Sequence, residues 1–391
     1  MSRYKHASTA AVRAGIDSDT AFGAVTPPIV LSSNFSFIDI DQKRGYDYSR
    51  SGNPTRDLLG EALAELEGGA GGVITATGMA AITVVLNALL APGDVLVVPH
   101  DCYGGSWRLF NALANKGAFT LVTIDFNDAE ARKAALARQP KLVWIETPSN
   151  PLLRITDLTS VIAEAKAAGA LSVVDNTFLS PLWQRPLAFG ADAVIHSTTK
   201  YINGHSDVVG GAVVAADAEL HQQFAYWANA LGLTGAPFDS FLTLRGLRTL
   251  PARLRVHAEN TTALVDLLRQ HPAVRALHWP GLASHPGHAL AAQQQQGFGA
   301  MLAFELADVA AVRAFVDGLE QFTLAESLGG VESLIAYPAT MSHAAMSPEA
   351  RAAAGISDGL LRLSIGIEHI DDLVADIRAG LERVSNAANA A

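Results

Sequence analysis

The stretch LSVVDNTFLSPLWQRPLAFGADAVIHSTTK, residues 171–200, holds two short β-rich runs, LSVVD and ADAVIHS, with a mostly helical segment between them. The same alternation extends outward from about residue 70 to 215, with GGVIT, DVLVVP, FTLVTID and KLVWIE before it and GGAVVAA after it. Several of these runs are continuous Val, Ile and Leu, as expected where helices cover both faces of a sheet. The pattern predicts an α/β fold with a mainly parallel sheet, whose C-terminal strand ends carry the chemistry.

The flanks read differently. Residues 1 to about 60 are rich in Gly, Pro, Ser and Asn (TPPIVLSSNF, YSRSGNPTRD) with little periodicity, so an arm or extended loop is expected. After Pro251 the helical stretch ARLRVHAENTTALVDLLRQH leads into strand-like AMLAFEL, a helix near 308–319, strand-like LRLSI and a last helix near 370–385. A chain of 391 residues exceeds what one hydrophobic core usually serves. The expected division is an arm over 1–60, a large domain over 61–250 and a smaller α+β domain over 251–391.

Hydrophobic residues make up 49% of the chain and charged residues 17%, which excludes a disordered protein, and no apolar run approaches a bilayer span. The formal net charge is -10 without a lysine or arginine cluster, so neither nucleic acid nor membrane is expected as a partner and a small metabolite is. The single cysteine, Cys102, excludes an internal disulfide, and MSRYKHASTAAVRAG lacks the apolar core of a signal peptide. Both features predict a cytoplasmic location.

HSTTKYINGHSD places Lys200 just beyond the end of a predicted strand, in a turn rich in Ser, Thr, Asn and Gly. Taken alone, a loop lysine is usually a solvated charge. Ser197 and Lys200 also form S-x-x-K, the pattern of serine acyl-transferases, yet Ser206-Asp207 is followed by Val208 and no KTG occurs. The dinucleotide, P-loop, zincin and G-x-S-x-G patterns are absent as well. His285 and His288 flank Pro286 and Gly287 and read as a polar turn.

Asp175 ends the strand LSVVD, where its carboxylate can pair with a protonated ring nitrogen or cap a following helix. TATGMAAITVVLNALL reads as strand, glycine turn and helix, so the N–H groups of Gly78 and Met79 offer a seat for phosphate. Ser197 and Thr199 can add hydroxyl donors. Each feature is unspecific; their joint presence is not.

The segments YSRSGNPTR, ATGMAAI, PHDCYGGSWRLF, ETPSNPLLR, VVDNTFLSP, HSTTKYINGHSDVVGG, FDSFLTLRGLRTL, FTLAESLGGVESL and LRLSIGIE occur in this order over nearly the whole chain. In these motifs the chain resembles the transsulfuration, or Cys/Met-metabolism, enzymes that depend on pyridoxal 5′-phosphate (PLP). The resemblance implies the aspartate-aminotransferase-like PLP-dependent transferase fold, fold type I. It implies that Lys200 holds the cofactor as a Schiff base and then moves substrate protons. It also implies that Asp175 keeps the pyridine nitrogen protonated, that Asn150 bonds the ring hydroxyl and that Tyr103 stacks on the ring, although simple packing would also explain a tyrosine there.

Gly78, Met79, Ser197 and Thr199 would bind the phosphate, joined by Tyr48 and Arg50 from a neighbouring subunit, because in this family the N-terminal region crosses a dimer interface. The implied assembly is a homotetramer of dimers with shared sites. Arg362, assisted by Ser327, would clamp the substrate α-carboxylate. Glu326 lies where an acidic side chain accompanies chemistry at Cγ, and Arg108 would meet a distal carboxylate; Ser51 stands where some bacterial relatives carry a second arginine. Cys102 is expected to be packing rather than nucleophile. The implied reaction converts O-succinyl-L-homoserine and L-cysteine to L-cystathionine and succinate. The alternatives are γ-elimination of cystathionine to cysteine, ammonia and 2-oxobutyrate, and a PLP-fold regulatory module without turnover.

Overall fold

The computed structural model describes residues 4–344 and 346–390. Its main sheet has seven strands: β1 (Gly71–Thr75), β2 (Val95–Pro99), β3 (Thr120–Ile124), β4 (Leu142–Glu146), β5 (Leu171–Asp175), β6 (Ala193–His196) and β7 (Gly211–Ala215). Their spatial order is β1-β7-β6-β5-β4-β2-β3, with β7 antiparallel to both of its neighbours and every other pair parallel. The mainly parallel sheet expected from the alternation is therefore present, and the C-terminal ends of β2, β4, β5 and β6 open on the same edge.

Helices α1 (Ala7–Arg13), α2 (Pro54–Glu67), α3 (Gly78–Leu89), α4 (Gly104–Asn115), α5 (Ala129–Leu136), α6 (Leu158–Ala167), α7 (Ser180–Trp183), α8 (Ala218–Leu231), α9 (Pro237–Leu247) and α10 (Leu250–Leu268) surround it. One face is sealed by α3, α4 and α8, where Ile82, Val85, Phe110 and Phe224 pack with Val98 and Trp144 of the strands. Phe110 meets Trp144 edge to face at 5.4 Å. The other face is covered by α1, α2, α9 and α10 through Leu63, Leu244 and Leu254 beneath Ala212 and Val214.

The second sheet is built from β8 (Ala276–His278), β9 (Met301–Glu305), β10 (Thr323–Leu324), β11 (Leu334–Ala336) and β12 (Leu360–Ser364), in the order β10-β11-β12-β9-β8. All its pairs are antiparallel except β10 with β11. Helices α11 (His288–Gln294), α12 (Val309–Val316), α13 (Pro348–Ala353) and α14 (Ile370–Ala390) complete the C-terminal part. A core of Leu302, Phe304, Phe315, Leu363 and Ile377 joins this sheet to α12 and α14.

The sequence reading of 1–60 as arm or loop needs one correction, because residues 7–13 form α1 and α2 starts at Pro54. Ala10 and Ala11 are buried on α1, and this short apolar pair is too small a periodic signal to announce a helix. The start of α2 is locally encoded: Asn53 Oδ1 accepts from Thr55 N at 3.0 Å and Arg56 N at 3.2 Å, and Pro54 occupies the first turn. Between the two helices the chain is largely irregular and exposes Phe22 at 93% and Ile40 at 97%.

Among the described residues no helix is long and apolar enough to cross a membrane. Behind the sheet edge, the fully buried Glu67 at the end of α2 accepts through Oε1 from His196 Nε2 at 2.7 Å and from Asn176 Nδ2 at 2.9 Å. It thereby ties the residue after β5 to the last residue of β6. Glu67→Leu leaves His196 Nε2 without an acceptor in the interior and Asn176 Nδ2 with Gln184 O alone, and a stability loss of about 3 kcal/mol or more is expected. Urea denaturation measures this; an unchanged midpoint would contradict the role.

Candidate active site

The ends of β4, β5 and β6, the first turns of α3 and α4, and segments of the C-terminal part enclose a cavity of about 680 Å³. Gly78, Met79, Tyr103, Arg108, Asn150, Asp175, Ser197, Thr199, Lys200, Glu326, Ser327 and Arg362 all line it. Tyr48 and Arg50 do not line the cavity of their own chain. Arg50 borders a separate cavity of about 890 Å³ beside α2 and β1, and its Nε donates to Asn229 Oδ1 at 2.9 Å.

Lys200 sits four residues beyond β6 in a turn closed by Lys200 N to Ser197 O at 3.2 Å and Gly204 N to Lys200 O at 2.8 Å. Buried Arg253 of α10 supports that turn, donating to Tyr201 O at 2.8 Å, Ile202 O at 3.3 Å and Gly246 O at 2.8 Å. The lysine is not a solvated loop charge: its Nζ points inward and donates to Ser327 Oγ at 2.8 Å. Burial, and secondarily the Arg362 charge, push its pKa down to about 8, against the pull of Glu326.

Asp175 Oδ1 accepts from Thr177 N at 3.0 Å. This is a local turn bond and not a helix cap, since the next helix, α7, begins at Ser180 with Leu179 at its N-cap. Burial raises the Asp175 carboxyl, while Thr177 and the nearby His196 hold it back. Glu146, opposite Asp175 in the β4–β5 register, is pushed well above the usual carboxylate range by burial and by the Asp175 charge. Of the two, Glu146 is pushed up the further, because Asp175 has the Thr177 hydroxyl and the nearby His196 drawing it down.

The first N–H groups of α3 face the cavity's other end. Thr77 Oγ1 takes Ala80 N at 2.8 Å and Thr77 O takes Ala81 N at 3.1 Å, so Gly78 and Met79 precede the first intrahelical bond. Gly78 is required there, since a Cβ would stand 2.9 Å from Ser197 Cβ. The Thr199 hydroxyl is turned to Gly210, donating to its carbonyl at 3.2 Å and accepting its N–H at 3.0 Å.

Arg362 lies mid-strand in β12 and is only 3% exposed. Its Nη1 donates to Asn150 Oδ1 at 3.0 Å and its Nη2 to Ser327 O at 2.9 Å, while Nε has no partner among the described residues. Ser327 is held at φ 97°, a left-handed conformation that costs a non-glycine residue about 1–3 kcal/mol. In return, its hydroxyl meets Lys200 and its carbonyl meets Arg362.

Cys102 is fully buried, and burial together with Glu146 and Asp101 raises its thiol well above the ordinary value, which makes it packing and not a nucleophile. Glu146 is a cavity carboxylate that sequence reasoning passed over. It ends KLVWIE as Asp175 ends LSVVD, so a carboxylate at the same strand edge was the available signal. Its Oε2 accepts from Tyr103 N at 2.8 Å.

Residues 8–382 match the family model described as Cys/Met metabolism PLP-dependent enzyme. Cystathionine γ-synthase of Escherichia coli (strain K12) is 56% identical over 374 residues, covering 95% of this chain and 97% of that protein. Cystathionine β-lyase of Lactococcus lactis subsp. cremoris (strain MG1363) is 45% identical over 375 residues, 96% of this chain and 98% of the other. Among solved structures, cystathionine γ-synthase from Xanthomonas oryzae pv. oryzae in complex with aminoacrylate and cysteine superposes with a TM-score of 0.96. It has 75% sequence identity and covers 97% of this chain and 98% of that one.

Proposed function

Since the chain belongs to the Cys/Met metabolism PLP-dependent enzymes, of fold type I, we propose that it performs a γ-replacement: L-cysteine displaces succinate from O-succinyl-L-homoserine and L-cystathionine forms. The observation that carries this reading is an inward, partly deprotonated Lys200 between Arg362 and Glu326 in a chain 75% identical to a γ-synthase structure. The 45% identity to a β-lyase makes the fate of the substrate, rather than the use of PLP, the question to test.

The cavity suits PLP on the observations of its own residues. An amine, a buried carboxylate, a helix N-terminus narrowed by Gly78 against Ser197, and the unpartnered Arg362 Nε all face one space. Lys200 would hold the cofactor covalently, Asp175 its ring nitrogen, Asn150 its hydroxyl, and Gly78, Met79, Ser197 and Thr199 its phosphate. Tyr103 would cover the ring. When bound, PLP supplies an electron sink for carbanions next to the amino-bearing carbon.

The remaining steps belong to the protein. Arg362 has five N–H donors, of which Asn150 and Ser327 occupy two, so a fork remains for the substrate α-carboxylate. Lys200 Nζ, steadied by Ser327 Oγ, takes the proton from Cα and delivers protons to neighbouring carbons. Glu326 favours the charged lysine between transfers. Arg108, exposed at the cavity rim, would attract the distal carboxylate of the acyl group.

Tyr48 and Arg50 would complete the phosphate site of a neighbouring subunit. The exposed apolar side chains of their segment, Leu31 at 68% and Ile40 at 97%, support burial against a second copy, with the homotetramer as the full assembly.

Incubation of the purified protein with O-succinyl-L-homoserine, with and without L-cysteine, tests the reaction. Cysteine-dependent L-cystathionine is the expected product. Efficient cleavage of cystathionine to 2-oxobutyrate or pyruvate, with no cysteine-dependent product, would overturn the assignment in favour of a lyase.

A further inference from the structure

Three segments that wall the cavity converge on one side chain outside it. Asp101 immediately precedes the Cys102-Tyr103 turn that leads into α4. Its Oδ2 accepts from Arg154 Nη1 at 2.9 Å and from Ser149 Oγ at 2.7 Å, next to Asn150. The Arg154 backbone carbonyl accepts Ser149 N at 3.0 Å, closing the loop that carries Asn150. Arg154 Nη2 donates to Ala354 O at 2.9 Å, at the end of the C-terminal segment that gives Met341 and Ser342 to the cavity wall.

That C-terminal segment is pinned at its other end as well. His343 is buried and bonds Asn150 O through Nε2 at 3.1 Å and Ser342 Oγ through Nδ1 at 2.9 Å. A carbonyl only accepts, so Nε2 carries the proton and the hydroxyl donates to Nδ1. Burial, then the Arg362 charge, push the His343 pKa down to about 4, so the neutral form persists at neutral pH. Ser342 O lies so close to α4 that a Cβ on Gly104 would come within 2.4 Å of it.

We propose that Arg154 is a positioning residue of the active site: one guanidinium, bonded to Asp101 and to Ala354, sets the Tyr103 turn and the Asn150 loop against the C-terminal wall. Among the described residues Arg154 does not line the cavity, and the hydrogen-bond partners of its side chain, Asp101, Ala354 and His100, are none of those assigned to substrate. Its planar fork can serve two acceptors in different directions, which an ammonium cannot do from the same stem. Loss of the fork leaves Asp101, whose side chain is 7% exposed, with Ser149 as its remaining close donor. The inference rests on PLP occupying this cavity between Tyr103 and Asn150.

The holoenzyme carrying Arg154→Met is compared with the parent for its PLP dissociation constant, the circular dichroism induced in the visible PLP band, and kcat separately from KM. PLP binding weaker on the order of tenfold, a reduced induced signal and a fall mainly in kcat are expected, from two charge-assisted bonds lost at one remove. Arg154→Lys should restore part of each, because the ion pair to Asp101 survives. Parent-like values of all three quantities in Arg154→Met, even with a lowered melting temperature, would reduce Arg154 to a structural residue and sink the proposal.

Should Arg154→Met not fold, Asp101→Asn takes its place, keeping an acceptor oxygen without the charge; a smaller shift in the same direction supports the role, and none refutes it. Borohydride fixation of PLP in Lys200→Ala separates the two claims. Loss of the fixed label upholds the cavity assignment whatever Arg154 does, whereas its retention would remove that assignment and the Arg154 role together.

Discussion

Lys200→Ala lowers kcat by roughly a thousandfold or more while the protein stays folded. Among the described residues that line the cavity Lys200 is the lone lysine, so no second amine stands ready to hold the cofactor or carry the substrate proton. Its Nζ is fixed by one hydrogen bond, to Ser327 Oγ, and removing that bond leaves a hydroxyl facing an open cavity instead of a buried unpaired group. Steady-state kinetics with far-UV circular dichroism as the folding control measure the outcome, and turnover within tenfold of the parent would refute the assignment.

The lowered pKa of about 8 adds a signature in the intact protein. Only the neutral amine attacks an aldehyde, and its fraction grows as pH rises through the pKa. The rate at which apoprotein takes up PLP should therefore rise through about pH 8 and level off above it. A rate still climbing toward the ordinary lysine value near 10.5 would mean that burial does not act on this amine.

Arg362→Ala raises KM for the amino-acid substrate on the order of a hundredfold, the effect of losing two charge-assisted hydrogen bonds to one carboxylate. Some loss of kcat should accompany it, because Asn150 Oδ1 and Ser327 O lose the donor that now orients them. Arg362→Lys should recover little, since an ammonium cannot reproduce the fork from mid-strand. Initial-rate measurements across substrate concentration decide this, and an unchanged KM would remove Arg362 from the substrate site.

Lys200, Asp175 and Gly78 could be found in the chain because each stands beside a local signal: a strand end followed by a turn, or a glycine opening a helix. Asn53-Pro54 starts α2 through capping chemistry of the same local kind, a signal that the arm-or-loop reading of residues 1–60 left unused. Arg362 carried no such signal. Its burial depends on β9 and β11 flanking β12, and its partners Asn150 and Ser327 lie 212 and 35 residues away. Glu146 ends its strand as Asp175 does, and the register that sets the two opposite each other brings it to the cavity.

By itself, then, the sequence determined the α/β class, the parallel run of strands and the turn that presents Lys200, since periodicity, propensity and turn chemistry are properties of adjacent residues. The tertiary structure alone decided that Lys200 points inward beside Ser327 with a lowered pKa, that Arg362 is buried with Nε unpartnered, and that Arg154 gathers three walls of the cavity. Burial, field and long-range hydrogen bonds arise from residues far apart in the chain, and they exist only once the sheets and loops have come together.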